Sequence, residues 1–201
     1  MIISVVIPCK NEPYLRILVD LIHNSLVYPH EILVQTEPGL ALAVLCGVRK
    51  SKGDVIVVLD ADGSHNPQNL TKMIGLVQTY PIVIGSRYVE GGVSNDTVIR
   101  RFLSRLFCRL AGVLLKVKVE DSMSGFVAAK RQVFETVHLQ PIGYKFALEL
   151  LVKCDARFRI LEYPIIFQKR KMGSSKTGVK EGIKIMTLIL ALWIWKISHK
   201  H

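Results

Sequence analysis

Four short runs of β-branched and aliphatic residues, separated by stretches with helical spacing, constrain this chain more than any other feature. The runs cover residues 2–7, 31–34, 54–59 (DVIVVL) and 81–84. Between them, residues 13–26, 40–50 and 66–78 place apolar side chains three and four positions apart. Strands that are apolar nearly throughout leave no face for water. They therefore predict a parallel sheet covered on both sides by the intervening helices. The expected fold class is α/β, with a mostly parallel central sheet of the nucleotide-binding kind. In such sheets ligands bind beyond the carboxyl ends of the strands. That singles out residues 8–12, 35–37, 60–64 and 85–87. No G-x-G-x-x-G follows the first strand and no G-x-x-x-x-G-K-[ST] occurs, which argues against a dinucleotide dehydrogenase and a P-loop NTPase.

The second half is less regular. Residues 98–116 read as a long helix carrying Arg100, Arg101, Arg105 and Arg109, and 119–127 hold a turn-rich DSMSGF segment. A helix is expected over 144–154, a strand over 159–167, a basic Gly/Ser loop over 168–178 and a very apolar helix over 181–195. Charge divides along the same line: residues 1–99 hold 7 basic and 9 acidic side chains, residues 100–201 hold 20 and 7. The basic half is expected to face something anionic, whether nucleic acid, phospholipid or a phosphorylated substrate. With 50% hydrophobic and 21% charged residues, the chain can bury one sizeable core and is not a disordered segment. Four widely spaced cysteines show no C-x-x-C pair. They read as small buried hydrophobes in a reducing compartment rather than a zinc or redox site. The opening run has no basic stretch ahead of it and does not read as a signal peptide.

Asp60-Ala61-Asp62 at the end of the DVIVVL strand carries the sharpest chemistry. Two carboxylates two residues apart can face one divalent cation, and Mg²⁺ and Mn²⁺ prefer such oxygens and share them with phosphates. The same Asp62 is equally able to form an Asx turn or cap the helix that follows.

VIPCKNE, VIVVLDADGSH-x-P, GSR, R-x-x-x-S, D-x-x-SGF and E-x-P-x-x-F-x-x-R-x-x-G-x-SK follow one another in that order. The series resembles the family 2 inverting glycosyltransferases of GT-A fold. Within them it is most similar to the polyprenyl-phosphate (dolichyl-phosphate) mannosyl- and glucosyltransferases. The resemblance implies a GT-A catalytic domain over residues 1–180 and an apolar, interfacial C-terminal helix over 181–201. It implies transfer of a hexosyl group with inversion, first of all mannose from GDP-mannose, to a polyprenyl (dolichyl) phosphate. The product, a polyprenyl-phosphate sugar, would serve glycan or glycoprotein assembly. A UDP-glucose-dependent polyprenyl-phosphate glucosyltransferase and a family 2 transferase with a non-lipid acceptor are the alternatives.

By the same resemblance, Pro8, Lys10 and Glu12 would line the nucleotide pocket. Asp60 and Asp62 would hold the Mg²⁺ or Mn²⁺ and the donor diphosphate, with Ser64 as a third metal ligand and Ala61 as a further nucleotide-sugar contact. Arg87, Arg100 and Ser104 would grip the acceptor phosphate, and Arg170 and Lys176 would close over the donor and acceptor phosphates. The family usually has Asp-Asp-Gly-Ser after the second strand. This chain has Gln35-Thr36-Glu37 there, and Glu37 keeps the carboxylate.

The expected partners are a nucleotide-diphosphate sugar, a polyprenyl phosphate lipid and a membrane surface, with room for a small membrane subunit. Nucleic acid is not among them, since no zinc pattern or RNP aromatic motif is present. The expected location is peripheral, on the cytoplasmic face of a membrane. The apolar tail supports that expectation. Its run unbroken by charge covers only residues 185–195, short of the roughly 20 residues a span needs, while Trp193 and Trp195 suit an interface.

Overall fold

The strand Ile3–Pro8 (β1) buries every residue except its last, as expected of a strand with helices on both faces. It pairs in parallel with His30–Gln35 (β2) on one side and with Val55–Val58 (β3) on the other. Ile82–Ser86 (β4) and Ile160–Pro164 (β7) form a second parallel pair. Val93–Ser94 (β5) pairs with Ile166–Phe167 (β8) in a separate two-stranded sheet. The remaining strand, Val127–Lys130 (β6), lies antiparallel between β3 and β4 and joins the two halves into a six-stranded sheet. The chain is described over residues 1–140, 145–154, 157–171 and 179–199 in a computed structural model.

The antiparallel β6 decides where the site can form. An antiparallel strand starts where its neighbours finish, so residues 121–126 are delivered to the carboxyl ends of β3 and β4. The single strand expected over 159–167 is two strands, β7 and β8. Pro164 ends the main-sheet pairing, and the chain then crosses to β5.

One face of the sheet packs on Leu15–Ser25 (α1) and Leu70–Val77 (α3) through Leu18, Ile22, Met73 and Ile74. The other packs on Leu40–Lys50 (α2), Arg131–Thr136 (α5) and Phe146–Cys154 (α6) through Val44, Val133 and Leu150. A third apolar cluster joins α6 to the helices Val98–Leu115 (α4) and Val179–Ser198 (α7). Cys108, Ala111 and Leu115 there meet Leu188, Ile189 and Leu192.

The C-terminal helix is therefore docked on the domain by one face. Its other face leaves Ile183, Leu190, Trp193, Ile194 and Ile197 exposed, and α4 adds exposed Val98, Ile99 and Phe102. Apolar residues surround α7 because two of its faces are apolar for different reasons. Among the described residues no helix is long and apolar enough to cross a membrane.

Candidate active site

The turn after β3 is shaped by Gly63, whose φ of +75 is unfavourable for any residue with a Cβ; a Cβ there would also meet the Tyr14 ring at 2.6 Å. Asp62 accepts the Ser64 N–H through Oδ1 at 3.0 Å, an Asx turn. Its Oδ2 lies 3.2 Å from the Arg170 guanidinium. Of the two uses of Asp62 that the sequence left open, metal ligand and turn former, the structure shows the turn through Oδ1, while Oδ2 faces Arg170. Arg170 also donates to both carboxylate oxygens of Glu12, at 2.9 and 3.1 Å. Glu12, Asp62 and Arg170 are brought together from loops after β1, β3 and β8.

Asp60 turns its carboxylate toward Gly125, where an added Cβ would sit 3.0 Å from Oδ2 and 3.2 Å from Oδ1. The glycine of the SGF motif is there to make room for that carboxylate. The backbone N–H of Asp60 donates to His65 Nδ1 at 3.2 Å, which leaves that nitrogen unprotonated. Burial pushes the His65 imidazole below its ordinary range. Its ring stacks on Phe126 and meets the edge of Phe167. Backbone bonds from Gln168 N to Ser64 O and from Lys171 N to Asp62 O tie the chain after β8 to this turn.

A second cluster lies across the 121–126 turn. Arg87 donates from Nε and Nη2 to the two oxygens of Asp121, both at 2.7 Å, and from Nη2 to Ser104 Oγ at 3.1 Å. Asp121 also accepts the backbone N–H of Arg87 at 2.9 Å. Asp121 is fully buried and Arg87 nearly so, and although burial alone would weaken the guanidinium, its bonds to Asp121 hold it charged and raise its pKa. The turn holding Asp121 is itself fixed by Glu162, which accepts the backbone N–H groups of Glu120 and Asp121 at 2.8 and 2.9 Å. Ser124 Oγ donates to Gly85 O at 2.6 Å. Phe167 packs between the two clusters, its ring 5.2 Å from the Arg87 Cζ and in edge contact with His65.

The other residues singled out in the sequence are placed as follows. Pro8 ends β1, and Lys10 is exposed in the turn after it. Ala61 packs its methyl into the core at 3% exposure, so its backbone is what it can offer a ligand. Glu37 pairs with Lys50 of α2 at 3.5 Å, and a hydrogen bond from its own backbone holds its carboxyl below the usual range. Arg100 pairs loosely with Asp96 at 3.7 Å on the exposed side of α4. Lys176 lies outside the described residues.

Ser64 Oγ is buried and has no hydrogen-bond partner among the described residues. A hard oxygen left over beside Asp60 and Asp62 fits a hard divalent cation. No group of three or more His, Cys, Asp or Glu suited to a metal occurs among the described residues. A cation held here would thus need oxygens from its substrate or from water, the usual habit of Mg²⁺.

Reading the sequence missed Asp121, Glu162, His65 and Lys145 as parts of the site. Lys145 donates to Met123 O at 2.9 Å. Burial lowers its ammonium pKa, with Arg87 acting in the same sense and Asp60 and Asp121 opposing it. It is therefore in the field of both clusters. The D-x-x-SGF and E-x-P motifs were the available signal for the first two. Nothing in the sequence marks Lys145.

Solved structures that share this arrangement of sheet and helices include glycosyltransferases of GT-A fold. Glucosyl-3-phosphoglycerate synthase from Mycobacterium tuberculosis, solved with Mn²⁺, UDP-glucose and phosphoglyceric acid, aligns with a TM-score of 0.74 and 16% identity. The alignment covers 95% of this chain and 79% of that one. The same enzyme with Mg²⁺ and UDP aligns at 0.73 with 16% identity, over 94% and 78% of the two chains. The glycosyl transferase family 2 pattern matches residues 29–137, and the chain belongs to that family. Among its relatives, a dolichol-phosphate mannosyltransferase of Pyrococcus furiosus is 36% identical over 84% of this chain and 49% of its own length. That of Saccharomyces cerevisiae is 33% identical over 85% and 67%. A polyprenol monophosphomannose synthase of Mycolicibacterium smegmatis is 34% identical over 70% and 57%. The chain thus spans about half the length of the first of these relatives and up to two thirds of the others.

Proposed function

We propose that this chain transfers a mannosyl group from a nucleotide-diphosphate mannose, GDP-mannose, to the phosphate of a polyprenyl (dolichyl) lipid with inversion of configuration. The observation that carries this reading is the pairing of two unlike clusters across one turn. One is rich in carboxylates at the ends of β1 and β3, and the other is built on Arg87 and on Ser104 of α4, a helix that also exposes Val98, Ile99 and Phe102. The relatives, dolichol-phosphate mannosyltransferases and a polyprenol monophosphomannose synthase, supply the sugar and the class of acceptor.

In this reading Asp60, Asp62 and Ser64 hold a Mg²⁺ or Mn²⁺ ion, which when bound offsets the charge of the donor diphosphate. Pro8, Lys10, Glu12 and Glu37 border the nucleotide. Arg87 and Ser104, with Arg100 above them on α4, bind the acceptor phosphate. An acceptor that is already anionic needs no base to deprotonate it. What it does need is relief from repulsion as it nears the donor. Arg87, Arg100, Arg170 and Lys145 provide that relief, with Lys176 assigned the same part from the sequence. Asp121 holds Arg87 in place, so the guanidinium meets phosphate without reorganising.

The exposed apolar residues of α4 and α7, within the basic half of the chain, support peripheral attachment to a membrane or to a small membrane subunit. Four free cysteines favour its cytoplasmic, reducing face. Residues 1–180 act as the catalytic domain, while α7 is both a packing element and part of the interface.

The deciding experiment offers radiolabelled GDP-mannose and UDP-glucose separately, with Mn²⁺ and a short polyprenyl phosphate, and counts lipid-extractable label. Label from GDP-mannose that disappears in Asp62→Ala is the expected result. Label from UDP-glucose alone, or on a non-lipid acceptor alone, overturns the assignment.

A further inference from the structure

A groove of about 560 Å³ runs between α4 and the segment that follows it, bordering the Arg87–Asp121 cluster at Tyr88 and Cys108. Tyr88, Arg105, Cys108, Arg109, Val113 and Lys118 supply its chemically distinct walls. We propose that it is a second phosphate-binding site, which takes the headgroup phosphate of an anionic membrane phospholipid while the acceptor occupies the Arg87 cluster.

Three observations carry this. First, Arg105, Arg109 and Lys118 line one concavity in which Glu120 is, among the described residues, the only carboxylate-bearing one. Among the described residues no ion pair engages these three cations. Cations facing one low-dielectric cleft raise its potential and concentrate anions there. Second, Arg105 is positioned rather than free in solvent. Its Cζ lies 5.0 Å from the centre of the Tyr88 ring, and the Arg87 Cζ lies 5.0 Å from the same ring. Tyr88 is thus a shared wall with a guanidinium of each site against it, and stacking presets the fork that grips phosphate in two places. Its hydroxyl lies buried near Ser104 without a hydrogen bond of good geometry. Third, Val113 on the groove's edge is 78% exposed on the same helix as exposed Phe102 and Leu106. A ligand with phosphate at one end and hydrocarbon at the other matches that sequence of surfaces. A free phosphate shares only the charged part.

The site is tested without any sugar nucleotide, so its failure is distinct from failure of the transferase reading. Binding of glycerol 3-phosphate is measured by calorimetry. Co-sedimentation is measured with vesicles of phosphatidylglycerol in phosphatidylcholine. The variants are Arg105→Lys, Arg109→Gln and the triple Arg105→Gln/Arg109→Gln/Lys118→Gln. A comparison triple, Arg16→Gln/Lys52→Gln/Lys72→Gln, removes as much charge from exposed positions elsewhere. Each lost charge-assisted contact should weaken vesicle binding about tenfold, and the comparison triple much less. Arg105→Lys keeps the charge and loses the planar fork, so it too should weaken binding. Loss on vesicles with little affinity for glycerol 3-phosphate identifies the lipid as the source, while equal loss on both identifies a general phosphate site. Equal weakening in the two triples, or wild-type binding by Arg105→Lys together with the groove triple, overturns the proposal.

Discussion

Replacing Asp121 by alanine should unfold this protein more readily than any substitution on its surface. Asp121 is 0% exposed and accepts three hydrogen bonds from Arg87, two from the guanidinium and one from the backbone. Arg87 itself is 9% exposed, so the change strands a cation away from water with only Ser104 Oγ as a described hydrogen-bond partner. Breaking a buried pair by removing one member costs about 3–5 kcal/mol, most of it from the charge left behind. In a chain of this size each kcal/mol lowers Tm by about 2–4 °C, which gives a fall of about 6–20 °C. Arg100→Ala is the contrasting case. Its partner Asp96 stands 3.7 Å away, the Arg100 side chain is 37% exposed, and such exposed pairs are worth about 0.2–1 kcal/mol. Urea unfolding followed by tryptophan fluorescence gives both numbers. The double variant Arg87→Met/Asp121→Leu should recover much of the loss, because apolar groups can replace a buried pair at little cost. If Asp121→Ala lost less than about 1 kcal/mol, water would reach the pair and the account of a dry, preorganised Arg87 would be wrong.

Arg100→Ala should instead raise the KM for polyprenyl phosphate about tenfold to a hundredfold and leave that for the nucleotide sugar unchanged, since one charge-assisted contact is at stake; steady-state kinetics with each substrate varied checks this. Gly125→Ala should crowd the Asp60 carboxylate, which an added Cβ meets at 3.0 Å, and weaken Mn²⁺ binding about tenfold by calorimetry, with the fold intact. Glu31 accepts Ser4 Oγ–H and Lys52 N–H, each at 2.6 Å, and the Ser4 bond holds its carboxyl below the ordinary 4.5. Its folded-state pKa is depressed, so its contribution is present above the unfolded value and disappears as pH falls through the folded one. Glu31→Gln should therefore be less stable than the parent at pH 7 in urea, and equal to it once Glu31 is protonated at acid pH.

How much of this could be read in advance depended on the range of the interaction. The parallel half was legible because a strand buried on two faces must be apolar along its length, and residues 55–58 are wholly buried as the DVIVVL run demands. The strand β6 was not legible. Its VAAK sequence is short and alanine-rich, with low intrinsic strand preference. It forms because β3 and β4 leave a slot between them. Missing β6 hid the reason that DSMSGF occurs at all.

The two clusters of the site differ in the same way. Asp60 and Asp62 sit beside a strand that the sequence reveals, so their position followed from local pattern. Arg87 was legible as a cation in a motif, but its partner Asp121 is 34 residues away and only the antiparallel return of the chain brings them together. Glu162 is farther still, 41 residues from the Asp121 N–H that it accepts. Each motif in the second half stabilises another: Glu162 fixes the Asp121 turn, Asp121 fixes Arg87, Gly125 admits Asp60, and Phe167 packs between Arg87 and His65. Such residues look like isolated positions in a linear reading, because the contact that explains each one is with another motif. The clusters are therefore mechanically one unit. A substitution in the acceptor half, such as Asp121→Ala, should reach the carboxylate half through Phe167 and Gly125, even though no charged side chain of one cluster hydrogen-bonds one of the other among the described residues.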